Sequence, residues 1–157
     1  MLTRRAALAL APAGLAFGLA PRLARAASPE TFNTASIAIN GTDPVAYFTN
    51  SAFGEGDYAY GLEEYALQWK GATWLFASAE NLAAFEAAPE AYAPQYGGYC
   101  AYAMAEGAVA TTVPSAWTIH EGKLYLNFSD AVRDYWRKDI PGNVAAADSH
   151  WPEALNA

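Results

Sequence analysis

The sequence predicts an α+β domain: a small antiparallel sheet from two β-hairpin-plus-helix units, with extra helices toward the C-terminus. Three observations predict it. The 157 residues are 54% hydrophobic and 16% charged, with five Trp, ten Tyr and seven Phe, enough for one packed core and too apolar for a disordered chain. An alternating, aromatic-rich hairpin pattern occurs twice around an x-Gly turn, each time followed by a Ser-capped helical pattern. The two copies are in register at an offset of 51 residues.

Residues 1–26 read as a signal peptide. Arg4-Arg5 precedes an Ala/Leu/Gly-rich run from Ala6 to Ala20, and Ala24-Arg25-Ala26 supplies a small-residue cleavage site. The run falls short of the roughly 20 residues that span a bilayer. The paired arginines point to twin-arginine export, so the mature chain is expected in the periplasm without membrane insertion. All sixteen Asp+Glu lie beyond residue 26, against five Lys+Arg, a net charge of −11. Such an acidic body argues against nucleic acid as a partner. Residues 27–38 read as an N-terminal extension and 39–157 as the domain.

Within the domain, Tyr65–Trp69 and Thr73–Ala77 flank Lys70-Gly71 as a hairpin, and Ser78 caps a helix through Asn81–Ala88. Pro89 ends that helix and opens a short second one to Tyr92. In the second unit Ala116–His120 and Lys123–Phe128 flank Glu121-Gly122, and Ser129 caps a helix over Asp130–Lys138. Gly71 matches Gly122, Trp74 matches Tyr125, and Ser78 matches Ser129. The two hairpins are expected to share one sheet.

Between the units, Gly97-Gly98 permits a tight turn before Tyr99–Glu106, a run of helix formers closed by Gly107. Cys100 is the one cysteine, so no intrachain disulfide forms. In a first helical turn, free N–H groups favour a thiolate, and Met104 would follow one turn on with its sulfur on the same face. Partial exposure of Cys100 is expected. The ordinary alternative is a buried, inert thiol used as a small hydrophobe.

Asp43-Pro44-Val45-Ala46-Tyr47-Phe48, the run Trp69–Asn81, Pro89–Cys100, Lys123–Asn127, Asp139–Asn143 and Trp151-Pro152 together resemble the exported bacterial YHS domain (seleno)protein family. The resemblance implies a treble-clef-related fold and a background in metal handling or redox chemistry. Some relatives carry selenocysteine where this chain has Cys100, which implies that the chalcogen is used chemically. Ala46 and Ala77 stand where metal-binding relatives carry Cys, and Ser78–Asn81 contains none. A four-ligand structural zinc site is therefore not expected.

Three functions follow. The first is soft-metal binding, copper(I) above all, by Cys100 and Met104, with His120 as a third ligand or a metal-handling partner protein completing the site. The second is thiol redox chemistry, with Cys100 as nucleophile and an external thiol resolving it. The third is a non-catalytic structural or interaction domain. Metal binding leads, and enzymatic activity is the less favoured expectation. His120 ends a strand, where exposure is ordinary, and its counterpart Trp69 shows that the position takes a plain aromatic. His150 reads as a helix-surface residue and Asp43 as a turn cap. The acidic residues are scattered, and no phosphate loop, nucleophile elbow or zinc-protease motif occurs.

Overall fold

The structure is a computed structural model that describes residues 26–157. The signal-peptide and export readings rest on residues 1–26, of which all but Ala26 lie outside the described residues. Two short strands, β1 (Asn33–Thr34) and β2 (Ile37–Ala38), come first, then α1 (Ala46–Thr49). The first hairpin is β3 (Leu62–Trp69) and β4 (Ala72–Phe76), followed by α2 (Ala79–Ala87) and α3 (Pro89–Tyr92). After α4 (Ala101–Ala105) come β5 (Trp117–His120), β6 (Lys123–Leu126), α5 (Asp130–Trp136) and α6 (Ile140–His150).

The fold is α+β, and the 51-residue echo is structural. In both hairpins two residues connect the strands with positive φ at each: 46° and 74° at Lys70-Gly71, 49° and 73° at Glu121-Gly122. Two successive positive φ values match the twist of the strands they join, and glycine takes the second without a side-chain penalty. Ser78 then accepts from the Asn81 N–H and Ser129 from the Val132 N–H, both at 3.2 Å. These caps satisfy helix N–H groups that have no partner within the helix. Trp74 packs on Phe85 with ring centres 5.2 Å apart, and Tyr125 packs on Trp136 at 5.1 Å. Phe85 and Trp136 are themselves 51 residues apart, and both are fully buried.

The expectation of one shared antiparallel sheet is overturned. The first hairpin belongs to a four-stranded mixed sheet of order β1-β2-β4-β3, whereas β5 and β6 form a sheet of their own. The reason is that β2 pairs parallel to β4 through Ile37 and Thr73, taking the edge to which a second hairpin could add. The segment read as an extension thus contributes strands. The same segment locks the connection before α4: the Phe32 N–H donates to the Gly97 carbonyl at 2.9 Å. The core lies between the sheets and helices, with Ile39, Val45, Phe76, Leu124 and Leu126 all but inaccessible. Among the described residues no helix is long and apolar enough to cross a membrane.

Candidate functional site

Cys100 sits between a forced turn and a short helix. Gly97 and Gly98 have φ of 61° and 84°, where side chains are strained. The space is closed as well: a Cβ on Gly97 would lie 1.9 Å from the Glu30 carbonyl oxygen, and one on Gly98 would lie 2.5 Å from Ile39 Cγ2. This paired turn delivers Cys100 to the cap position of α4 rather than to its first turn, with extended ψ of 118°. Its own N–H donates to the Ala110 carbonyl at 3.0 Å.

The sulfur is an acceptor in a built setting. Sγ receives the Ala103 N–H at 3.5 Å and the Phe128 N–H at 3.3 Å, and its thiol donates to Asn127 Oδ1 at 3.7 Å. That oxygen also accepts the Tyr102 N–H at 3.2 Å, which fixes which end of the amide faces Cys100. Asn127 is fully buried, and among the described residues its Nδ2 has no hydrogen-bond partner. A buried amide leaves a donor free only at a cost of about 1–3 kcal/mol.

The expected partial exposure of Cys100 is corrected: the residue is 1% exposed. Its neighbours in the chain and across β6 are more open. Phe128, whose N–H meets it, is 53% exposed, and Tyr102 and Ala103 are half-buried. Tyr102 packs edge-on against the 54%-exposed Tyr135.

The other half of the fold has the same device built with a carboxylate. Asp43 Oδ1 accepts the N–H groups of Val45 at 2.8 Å and Ala46 at 3.2 Å at the start of α1. Its Oδ2 accepts the Ala77 N–H at 2.8 Å and the Asn81 amide at 2.6 Å. Ala46 stands three residues beyond Asp43 as Ala103 does beyond Cys100, and Ala77 matches Phe128 in the 51-residue echo. Cys100 therefore occupies the place of a buried carboxylate. The sequence holds this only faintly, because Asp43 and Cys100 are 57 residues apart and the shorter second loop breaks the register. Asp43 is more than a turn cap, since it ties α1 to the β4–α2 junction.

The remaining candidates disperse. Met104 follows one turn after Cys100, its N–H donating to the Cys100 carbonyl at 2.9 Å, and is fully buried in the core. His120 lies at the turn end of β5, 4.0 Å from Glu121, whereas Cys100 meets the chain just past the opposite end of β6. The structure does not bring His120 to Cys100. The imidazole that meets α4 is instead His150, at the end of α6, whose Nδ1 lies 3.1 Å from the Met104 carbonyl oxygen, so it is held rather than a free surface residue. Among the described residues no group of three His, Cys, Asp or Glu side chains could hold a metal ion. Two sulfurs at most form the donor set, which does not make a closed site for a resident metal.

A separate cleft of about 120 Å³ is walled by Trp69, Trp74, Tyr96 and Trp151. Lys70 at its rim bridges Glu30 at 3.2 Å and Glu90 at 3.0 Å, so its charges are already matched. Burial works to lower the Lys70 pKa, but the two carboxylates outweigh it and the net shift is upward. Behind the cleft, burial followed by the neighbouring Asp148 pushes the Tyr96 hydroxyl well above its ordinary value. These groups hold the fold around the Gly97-Gly98 turn. The chain matches no family model, no curated protein and no solved structure.

Proposed function

We propose that this is an exported, periplasmic protein of YHS type in which Cys100 acts as a redox nucleophile toward hydroperoxides. The single observation that supports the reading is the setting of Sγ: two backbone N–H groups, of Ala103 and Phe128, converge on the sulfur. Donors aimed at a sulfur complement the charge it carries as a nucleophile.

The step is a two-electron transfer. Cys100, as thiolate, attacks the terminal oxygen of a hydroperoxide; an S–O bond forms, the O–O bond breaks, and the departing alkoxide or hydroxide takes up a proton. The sulfur becomes a sulfenic acid and the hydroperoxide is reduced to an alcohol or water. One external thiol condenses with the sulfenic acid, releasing water and forming a mixed disulfide. A second external thiol displaces Cys100 as the free thiol. No second cysteine of the chain takes part, since there is none.

The test is hydrogen peroxide treatment of the mature protein with a sulfenic-acid trap, read by mass spectrometry. Trapping at Cys100, reversed by added thiol before the trap is applied, supports the proposal. A native protein whose thiol stays unmodified until the chain unfolds refutes it and leaves the inert structural reading.

The competing proposal is copper(I) binding by Cys100 and Met104. The observation in its favour is that Met104 lies one helical turn beyond Cys100. It requires a further ligand from a metal-handling partner. Anaerobic copper(I) titration decides it: Met104→Leu should weaken binding and Cys100→Ser should abolish it. Equal affinity in Cys100→Ser and the parent chain would eliminate this reading.

A further inference from the structure

We infer that the aromatic cleft beside Lys70 is a binding site for a small methylated ammonium cation, a function separate from that of Cys100.

The inference starts from a cation already in place. Lys70 Nζ stands 4.7 Å from the ring centre of Trp69, inside the roughly 6 Å over which a ring face attracts a cation. The same ammonium meets Glu30 at 3.2 Å and Glu90 at 3.0 Å. The turn itself does not demand a lysine, because Glu121 fills the matching place in the second hairpin, with φ of 49° against 46°. A ring face and two carboxylates thus form an ammonium site, with a side chain of this chain as its first occupant.

Two features leave room for a second. One ammonium between two carboxylates leaves the rim one negative charge in excess, and among the described residues neither Glu30 nor Glu90 meets another cation. Asp148, which accepts the Tyr96 hydroxyl at 2.9 Å behind the cleft, adds to the same sign. The cleft also stays open with Lys70 in it, about 120 Å³ bounded by Trp74, Tyr96 and Trp151 as well as Trp69. These rings are set before a ligand arrives. Trp69 and Trp74 pack with ring centres 5.5 Å apart, Tyr96 and Trp151 at 6.1 Å, and the Trp74 indole N–H donates to the Trp69 carbonyl at 3.0 Å. A preformed wall loses little freedom on binding.

The ligand class follows from the polar groups that remain. The carbonyls of Trp69, Lys70 and Gly97, three residues of the cleft wall, already accept from the Trp74 indole, the Thr31 hydroxyl and the Phe32 N–H. The wall therefore offers a newcomer aromatic surface and negative charge more than unused acceptors. A methylated ammonium brings charge without N–H groups to satisfy, whereas a primary ammonium brings three donors that leave water.

Choline is the probe, titrated into the mature protein at constant ionic strength and read from the indole N–H signals of Trp69 and Trp151 by NMR. Choline should shift these signals saturably. Ethanolamine, and the uncharged analogue with a tert-butyl group in place of trimethylammonium, should each bind at least about ten-fold more weakly. Lys70→Ala removes the competing ammonium and should tighten choline binding about five-fold. Glu90→Gln removes one carboxylate from an exposed position and should weaken binding about three-fold. Failure of choline to shift the two indoles, equal binding of the uncharged analogue, or tighter binding of ethanolamine would each overturn the inference. Unchanged choline affinity in both variants would do the same.

Discussion

Replacing Asp43 by alanine probes the architecture that sets Cys100 in place, because the two residues hold equivalent positions. Asp43 is fully buried and accepts four hydrogen bonds. Removing the carboxylate strips α1 of its cap, a loss of about 1 kcal/mol. It also orphans the Ala77 N–H and the Asn81 amide, at about 1–3 kcal/mol each. The expected destabilisation is about 3–7 kcal/mol, a large share of the 5–15 kcal/mol typical of a domain. Cys100→Ala removes three long bonds at the sulfur and should cost about 1–2 kcal/mol. Urea unfolding followed by tryptophan fluorescence measures both. Should Asp43→Ala fail to fold, Asp43→Asn keeps the Oδ1 bonds to Val45 and Ala46 and should cost about half as much. A loss below about 1 kcal/mol for Asp43→Ala, or a larger loss for Cys100→Ala than for Asp43→Ala, would refute the equivalence.

Other expectations follow from the same contacts. Gly98→Ala places a Cβ 2.5 Å from Ile39 Cγ2 at a φ of 84°, so it should cost at least about 2 kcal/mol and open Cys100 to alkylation; an unchanged unfolding midpoint would contradict this. Phe85→Ala and Trp136→Ala, at matching places in the two units, should each cost about 3–5 kcal/mol by urea unfolding, and a cost below 1 kcal/mol at either would deny the echo an energetic meaning. Burial and then Asp148 raise the Tyr96 pKa above the ordinary 10.0, so above pH 10 the unfolded chain sheds a proton that the folded chain keeps. Stability should therefore fall as pH rises past 10, and less steeply in Tyr96→Phe; identical slopes in the two proteins would contradict the sign.

The hairpins, their x-Gly turns and the Ser78 and Ser129 caps were legible because each is specified locally, by residues within a few positions of one another. Sheet membership was not. It turns on Ile37 pairing with Thr73 across a long loop, and a two-residue strand such as β2 carries no alternation to read. The burial of Cys100 was misjudged for a related reason. Its cover is the Phe128 backbone, brought from 28 residues away by β6, whereas sequence spacing exposes only neighbours on the same helix. Met104 was placed correctly one turn beyond Cys100, but its side chain serves the core. Asn127 gave no signal at all, since a lone asparagine after a strand reads as the start of a turn.

The central claim is that the fold makes Cys100 reactive toward hydroperoxide rather than merely burying it. The most direct measurement is the rate of Cys100 oxidation by hydrogen peroxide in the folded protein against the same chain unfolded in urea. The account predicts faster oxidation in the folded state, because the Ala103 and Phe128 N–H groups converge on the sulfur only there. Slower oxidation of the folded chain, in keeping with a sulfur that is 1% exposed, would contradict it.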